Sequence, residues 1–345
     1  MSDRFTETKI HSDSISHLPF RHEGRSTGVQ RRAFRQPSLA RRAVHRFTRR
    51  VLSLTDLAEL AHQHSDTLKS RVKEFSVGRR RLAFNSKKAI MGVINLSADS
   101  WYRESVCLND TMAVERLELL AAQGADIVDI GAESTLPDAD RVNGKQQLVR
   151  VLPIIHEARR RKIPVSIETY LPNVAKSCLE AGAAVINLTS GANNRRVFEH
   201  VAEHDAAVIL CYVQGKHVRA VDELTFARDP IAVMHEYFAR QIEMATKSGV
   251  QKIFVDPGMG FYYRNLKDSA ERVRHQMKTF VQSFRLRTLG FPVCHALPHA
   301  FEFFKEEVRS AEPFFAVLAA LGGTDLFRTH EVARTKAVLD TLEIY

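Results

Sequence analysis

Polar side chains follow several predicted strands of this chain, and the most informative of them is Asp256. It comes directly after the apolar run at residues 252–255 and is followed by Pro, Gly, Met and Gly. The run is β-branched and too short for a helix, so it predicts a buried strand. An acid before a glycine-containing turn, where backbone can approach a ligand closely, predicts a binding carboxylate. The alternative is a turn that only ends the strand.

Two further polar strand ends offer hydrogen-bond acceptors of the same kind. Glu168 ends the run at residues 164–168, and Asn187 ends the run at residues 184–187. With Asp256 they predict an acceptor-rich pocket for a flat heterocycle that carries several N–H donors. Taken singly, Glu168 is equally compatible with a salt bridge and Asn187 with a turn.

A second group of strand ends suits an anion. Arg328 and His330 lie in one short segment, and Asn95 ends an early strand. A guanidinium and an imidazole together bind phosphate-type groups, and the amide oxygen of Asn95 can share a divalent cation with such an anion. The alternative for His330 is an ordinary residue at a helix N-terminus.

Strand and helix patterns alternate from residue 89 onward, which decides where these side chains meet. Eight such units in about 255 residues predict a (β/α)8 TIM barrel, in which ligands bind at the C-terminal ends of the strands. A doubly wound open sheet is the alternative, although no G-x-G-x-x-G follows an early strand. The predicted strands are 90–96, 126–131, 164–169, 184–188, 207–213, 252–256, 291–295 and 324–327. The predicted helices are 111–123, 147–161, 173–181, 195–204, 230–248, 269–286, 300–321 and 330–342.

The residues before the barrel divide into two parts. Apolar residues recur with a helical period from Ser53 to Phe75, with Ser53 or Thr55 as the N-cap, and a short strand follows at residues 80–84. The predicted organisation is therefore a basic arm at residues 1–50, an N-terminal helix and β-hairpin at residues 51–88, and the barrel at residues 89–345.

The positive charge of the chain is concentrated at its N-terminal end. Residues 1–85 contain 18 Lys and Arg against 8 Asp and Glu, which accounts for the whole net charge of +10. Residues 1–50 have few apolar residues and no sustained period, so we expect a mobile, disordered arm. The arm is suited to an anionic partner such as nucleic acid, an anionic membrane surface or an acidic protein. A solvated tail without a partner is the other interpretation.

The composition indicates a cytoplasmic protein without a membrane span. The chain is 44% hydrophobic, its mean hydropathy is −0.22, and no apolar run approaches the roughly 20 residues that a span needs. The polar N-terminus has no signal-peptide pattern. The four cysteines have no CxxC spacing, so neither a disulfide framework nor a cysteine zinc site is predicted.

One pair of histidines has a spacing seen in metal sites. His295 and His299 form an H-x3-H pair, which places two ligands on one face when the segment is helical. Pro298 between them disfavours a regular helix. Two polar loop residues are therefore the alternative to a metal-binding pair.

Six segments of the chain, in this order and spacing, resemble the successive motifs of dihydropteroate synthase, the pterin-binding TIM-barrel enzyme of folate biosynthesis. The resemblance covers about residues 80–345 and includes the N-terminal hairpin, which closes the base of the barrel in that family. The segments are IMGVINLSADS (90–100), GADIVDIGAEST (124–135), VSIETY (165–170), GAAVINLTSG (182–191), VDPGMGF (255–261) and FRTHEV (327–332).

The resemblance implies a transferase that joins a pterin-CH2-pyrophosphate to 4-aminobenzoate and releases pyrophosphate with the help of Mg2+. It implies that Asn95 contacts the Mg2+ and the pyrophosphate, and that Arg328 and His330 bind the same phosphates. Glu168, Asn187 and Asp256 are implied to bind the pterin ring. It also implies that Thr135 lies in a loop that closes over the reacting centre, and that the protein forms a homodimer.

The chain departs from the family pattern mainly at the positions that contact the amine. We therefore expect a divergent member whose amine acceptor is not restricted to 4-aminobenzoate. The departures are Glu168 for Asp, Leu188 for Asp, Leu136 for Arg, Tyr263 for Lys with Arg264 beside it as a substitute that binds substrate, Leu297-Pro298-His299 for Ser-Arg-Lys, and Trp101 to Glu104 in the first loop.

Two other functions fit the same barrel. The first is a non-catalytic module that binds a pterin or a protein partner, with the basic arm as its docking element. The second is a pterin-dependent methyltransferase, which the phosphate-type pair Arg328 and His330 disfavours.

Deletion of residues 1–50 tests the predicted arm. Because this segment has few residues that can be buried, we expect the shortened protein to keep the melting temperature of the full chain within about 2 °C. Differential scanning calorimetry of both proteins measures the change. A large loss of stability would show that the segment packs on the barrel.

Overall fold

Eight parallel strands form a barrel in the computed structural model of this protein. The structure describes residues 51–100, 102–136, 139–191, 194–221, 223–224, 227–260, 263 and 268–345. By residue numbers, the order of the strands in the sheet is 252–256, 207–211, 185–188, 165–169, 127–131, 89–95, 326–329 and 294–296. A parallel bridge between Val255 and Val293 joins its two edges. The predicted (β/α)8 TIM barrel is therefore confirmed. The predicted arm at residues 1–50 lies outside the described residues, and the predicted domain boundaries stay predictions.

The elements follow one another in the order that the sequence patterns predict. The strands are β1 Phe75–Val77, β2 Arg80–Leu82, β3 Ala89–Asn95, β4 Ile127–Gly131, β5 Val165–Thr169, β6 Val185–Leu188, β7 Ala207–Cys211, β8 Lys252–Asp256, β9 Cys294–Ala296 and β10 Leu326–Thr329. The helices are α1 Leu54–Gln63, α2 Asp110–Ala122, α3 Gly144–Arg161, α4 Pro172–Ala181, α5 Arg195–Glu203, α6 Pro230–Lys247, α7 Ser269–Gln282, α8 Phe301–Phe304, α9 Ala311–Leu321 and α10 Val332–Leu342. None of these described helices is long and apolar enough to cross a bilayer.

The predicted N-terminal helix is shorter than its apolar pattern. Ser53 caps it as predicted, in a reciprocal hydrogen-bonded pair with Asp56, but the helix ends at Gln63. Further on, the side chain of Asn85 accepts a hydrogen bond from Val72 N at 2.9 Å and donates one to Val72 O at 2.8 Å. Since both backbone groups of Val72 are thus paired across the chain, the helix does not continue through this residue.

The predicted helix at residues 300–321 is broken into three pieces. α8 is followed by a 3-10 stretch at Lys305–Ser310 and then by α9. Ala300 and Lys305 have φ values of 45° and 46°, in the left-handed region that side chains with a Cβ rarely adopt. These two residues turn the chain before and after α8, so the helix predicted from periodicity cannot be continuous.

The N-terminal hairpin closes the base of the barrel. Phe75 of β1 and Phe84 just after β2 pack edge-to-face on Phe254 of β8, with ring centroids 5.1 and 5.5 Å from it. All three belong to the core cluster inside the barrel. The inward-facing side chains near the base are apolar, and the same period-two alternation carries Asn95, Glu168 and Asn187 inward at the opposite end. The base is thus a dry plug beneath a polar mouth.

Truncation of an aromatic ring in this plug tests its contribution to stability. Phe84 is 1% exposed, so Phe84→Ala should lower the free energy of unfolding by about 3–5 kcal/mol through lost contacts and a cavity. Phe303→Ala is the control, because Phe303 is 57% exposed and should cost little. Denaturant unfolding of the three proteins measures the difference. Equal losses in the two variants would contradict the sealed base.

Candidate active site

Most of the residues predicted for the site lie around one cavity at the C-terminal ends of the strands. Each comes from the end of a strand or from the residues directly after it, so the barrel topology alone brings them together. Arg264 lies outside the described residues. The predicted residues that line the cavity are Asn95, Thr135, Glu168, Asn187, Asp256, Arg328 and His330.

A buried ion cluster lies at the centre of this wall. The guanidinium of Arg328 donates from Nε to Asp129 Oδ2 and from Nη2 to Glu168 Oε2, each at 2.7 Å. Asp129 is fully buried in the middle of β4 and was not predicted from the sequence. The signal available for it was a single acid inside an otherwise apolar strand. Among the described residues, Nη1 of Arg328 has no hydrogen-bond partner and stays available to a ligand.

The structure decides between the alternatives that were predicted for Glu168 and for Asn187. Glu168 forms the salt bridge with Arg328, and it also lines the cavity. Asn187 lies in β6 and not in a turn, and its Nδ2 donates to Asp129 Oδ2 at 3.0 Å. Leu188 packs in the core between strands and helices. A side chain at position 188 therefore points away from the mouth, so the Leu at this position removes no carboxylate from the cavity.

Burial changes the acidity of the two carboxylates that face the cavity. It raises the pKa of Glu168 to about 7, although Arg328 favours the ionised form. It raises the pKa of Asp256 to about 6, against the hydrogen bond that Asp256 Oδ1 accepts from Gly258 N at 2.7 Å. Asp129 contributes to both increases because its charge repels theirs. Ionised carboxylates in this position are stabilised by N–H donors, which is the chemistry that a donor-rich ring supplies.

The opposite side of the cavity joins Asn95 to His330. Asn95 Nδ2 donates to Ser105 Oγ at 2.6 Å and lies 3.4 Å from His330 Nε2. His330 Nδ1 lies 2.7 Å from Glu312 Oε1, so this nitrogen carries the proton and Nε2 is the acceptor. Burial lowers the pKa of His330 to about 4, despite the neighbouring carboxylate. The imidazole is therefore neutral near pH 7, and the cationic side chains that line the cavity among the described residues are Arg328 and Arg272.

His295 and His299 do not form a metal-binding pair with one another in the structure. His295 is fully buried in β9, where its Nε2 lies 2.6 Å from Ser283 Oγ and its ring packs on Phe280. His299 instead lines the cavity and stacks between Tyr102 and Phe301. The segment between the two histidines is not helical, so an H-x3-H spacing does not place them on one face.

The remaining family departures lie partly at this cavity and partly away from it, and Trp101 lies outside the described residues. Leu297, Pro298 and His299 form part of its lining. Tyr263 is buried beside Leu224 and lies outside that lining, with its hydroxyl accepting from Gln214 N at 3.3 Å. Leu297, Pro298 and His299 thus present apolar and aromatic groups where the predicted family pattern has Ser, Arg and Lys. Arg272, which is paired with Glu302, also lines the cavity.

Comparison with known proteins places this site in a family. The model of the pterin binding enzyme family matches residues 91–330. A dihydropteroate synthase from Synechocystis sp. is 30% identical over 268 residues, which are 74% of this chain and 89% of that protein. The chain belongs to the dihydropteroate synthase family of pterin-binding enzymes. The predicted resemblance is therefore confirmed, and the level of identity agrees with a divergent member.

Solved structures of this family have the same fold. The dihydropteroate synthase of Xanthomonas albilineans with 4-aminobenzoic acid is 27% identical, with a TM-score of 0.65, and covers 79% of this chain and 97% of its own. The same enzyme in complex with 7,8-dihydropteroate is 25% identical with a TM-score of 0.62, and the shared regions are again 79% and 97%. The chain spans nearly the whole length of these relatives.

The raised pKa of Asp256 predicts a pH dependence of stability. Between about pH 4 and pH 6 the unfolded chain loses this proton while the folded state retains it, so stability falls as the pH rises through this range. The free energy of unfolding of the native protein, relative to Asp256→Asn, should fall by about 2–3 kcal/mol from about pH 4 to pH 7.

Denaturant unfolding across this pH range measures the effect. Asp66→Asn serves as the control, since Asp66 is exposed on the surface and its replacement should change the pH profile little. Parallel profiles for the native protein and Asp256→Asn would show that Asp256 ionises in the folded protein as easily as in water.

Proposed function

We propose that this protein is a transferase that condenses a pterin-CH2-pyrophosphate with an amine and releases pyrophosphate. The observation that carries the proposal is the placement of acceptor side chains and a phosphate-type Arg and His around one cavity. Membership of the dihydropteroate synthase family supports the same reaction. Thr135, in the loop after β4, lines this cavity and is proposed to contact substrate there.

The ring of the substrate is proposed to bind at the carboxylate wall. Asp256 and Glu168 accept hydrogen bonds from the amino group and ring N–H groups of the pterin, and Asn187 adds an amide that both donates and accepts. Each such bond favours the ionised carboxylate, so ring binding offsets the burial that raises their pKa. A ring that lacks these donors would leave buried acceptors unpaired and would bind poorly.

The diphosphate is proposed to lie between Asn95, Arg328 and His330. Gly131 has no Cβ, and a Cβ built there would lie 3.7 Å from Asn95 Oδ1 and 3.8 Å from Glu168 Oε2. The absence of this side chain leaves space beside Asn95 that a cation would fit. An amide oxygen next to a glycine can serve as one ligand of Mg2+, whose other ligands come from the diphosphate and water. When bound, Mg2+ neutralises charge on the leaving pyrophosphate.

The side chains of the protein position the reacting groups. The C–O bond of the pterin-CH2-O unit breaks, the pyrophosphate leaves with the electron pair, and the amine nitrogen attacks the resulting benzylic-type cation and loses a proton. Arg328 Nη1 and the neutral His330 hold the departing oxygens, and the carboxylate wall stabilises positive charge on the ring. The apolar plug below excludes water that would otherwise trap the cation.

The acceptor is proposed to be an amine other than, or besides, 4-aminobenzoate. Leu297, Pro298 and stacked His299 form an apolar, aromatic wall, and Leu136 stands where the family has Arg. This wall suits a flat amine without a carboxylate more than it suits 4-aminobenzoate. A panel of aryl amines offered with the pterin pyrophosphate, with release of inorganic pyrophosphate as the readout, identifies the acceptor. Preference for 4-aminobenzoate over uncharged aryl amines would overturn this part of the proposal.

Titration calorimetry separates the transferase from the other two functions. Tight binding of the pterin pyrophosphate that depends on Mg2+ supports the transferase. Binding of the pterin alone, independent of Mg2+, supports a non-catalytic module. If neither kind of binding is observed, the transferase and the module are both rejected. A pterin-dependent methyltransferase would bind a pterin without the pyrophosphate, leaving Arg328 and His330 without a ligand.

A homodimer and an anionic partner of residues 1–50 remain proposals that sedimentation and pull-down with the full chain can test.

Replacement of Arg328 tests the phosphate end. Arg328→Ala should weaken binding of the pterin pyrophosphate by about 2–4 kcal/mol, because a buried charge-assisted contact is lost. Arg328→Lys should bind the pterin pyrophosphate less tightly than the native protein and more tightly than Arg328→Ala. Lysine keeps the charge, but it cannot bond Asp129 and Glu168 together as the forked guanidinium does.

Arg160→Ala is the matched control, because its side chain is 65% exposed on α3. Thermal melting of each variant shows whether the ion cluster still folds, since its removal leaves buried carboxylates without a cation. A dissociation constant unchanged in a folded Arg328→Ala protein would remove Arg328 from the substrate site.

A further inference from the structure

Two imidazoles converge on one carboxylate oxygen at the edge of the cavity. His330 Nδ1 lies 2.7 Å and His299 Nε2 lies 3.1 Å from Glu312 Oε1. The three ligand atoms all lie within 4.8 Å of one another. His299 and His330 line the cavity. We call these three side chains the His-Glu-His cluster. His299 follows β9, Glu312 lies in α9 and His330 follows β10, so the fold brings the cluster together.

The carboxylate of the His-Glu-His cluster is held rigidly. Glu312 is fully buried, and its Oε2 accepts hydrogen bonds from the hydroxyl of Thr329, from His330 N at 2.8 Å and from Glu331 N at 3.1 Å. This saturated oxygen turns Oε1 toward the two histidines. No Lys or Arg is paired with Glu312 among the described residues.

The two imidazole rings are also held in place. Tyr102 lies against both, with its ring centroid 4.8 Å from that of His299 and 4.8 Å from that of His330. Phe301 packs on His299 at 5.1 Å. The Tyr102 hydroxyl donates to Glu331, which fixes the tyrosine ring. A site whose ligands are oriented in advance loses little entropy when it binds an ion.

One atom of the cluster is left without a hydrogen bond. His299 Nε2 is buried and lies 3.1 Å from Glu312 Oε1, without the geometry of a hydrogen bond to any of the described residues. A cation between this nitrogen and the carboxylate oxygen would bind both, once the nitrogen is deprotonated. His330 Nδ1 also makes a short contact with Glu312 Oε1, and the proton in this contact occupies the position that an ion would take.

We propose that His299, Glu312 and His330 bind a divalent transition metal ion, with Zn2+ as the expected ion. Two imidazole nitrogens and one carboxylate oxygen form a three-residue set that leaves a fourth position for water or substrate. The site is separate from the Mg2+ position proposed at Asn95, because that ion takes oxygen ligands and this set is mostly nitrogen. An ion here lies beside the wall where the amine acceptor is proposed to bind.

Metal binding by the full chain tests the proposal without any substrate. After treatment with a chelator, titration calorimetry with Zn2+ should show one ion bound per chain. Co2+ should give the intense visible absorption of a four-coordinate ion. His299→Gln and Glu312→Gln should each weaken Zn2+ binding by more than about 100-fold, since removal of a direct ligand costs at least as much as removal of an outer-shell partner.

His235→Gln is the control, because His235 lies on α6 and contacts Thr288 away from the cluster. Circular dichroism and thermal melting of each variant show whether it is folded, which excludes unfolding as the cause of weaker Zn2+ binding. If one of the two cluster variants does not fold, the other still tests the proposal. Absence of bound Zn2+ in the native protein, or equal affinity in His299→Gln and His235→Gln, would overturn the proposal. Because no pterin is present, this result does not depend on the proposed transferase activity.

Discussion

A single guanidinium inside the barrel makes the rest of the mouth possible. Arg328 bonds Asp129 and Glu168, so side chains from β4, β5 and β10 are joined at one point. Asp256 adds a third carboxylate to the same interior. Three buried acids without a cation would repel one another and lose hydration, which no amount of packing nearby would offset. The acceptor-rich wall exists because Arg328 compensates most of its charge and keeps one nitrogen for a ligand.

The apolar base and the polar mouth depend on each other. The plug of Phe75, Phe84 and Phe254 excludes water from the interior, and a dry interior strengthens every electrostatic interaction above it. The same dryness raises the pKa of Asp256 and Glu168. The proposed reaction forms a cation and would need both effects, because water must be absent and negative charge must be close.

The residues predicted to depart from the family pattern at the amine end pack against one another. His299, predicted to stand in place of a family lysine, has the buried carboxylate of Glu312 directly against it. Tyr102, in a first loop that departs from the family pattern, stacks on the same imidazole. Residues of two segments predicted to depart from the family pattern thus meet at one edge of the cavity, and His330 joins them there.

The alternation of apolar and polar residues predicted the barrel and most of its mouth. A strand turns every second side chain inward, and parallel strands end at one edge, so Asn95, Glu168, Asn187 and Asp256 were identifiable from local pattern alone. Asp129 and Glu312 were not, because their roles depend on partners in other elements, which only the folded chain brings within reach. The breaks in the predicted helix at Ala300 and Lys305 could not be predicted from hydrophobic periodicity, because a backbone turn does not change the pattern of apolar residues. The sequence by itself determined which side chains face the cavity; only the tertiary structure decided which charges meet, because that depends on distances across the barrel.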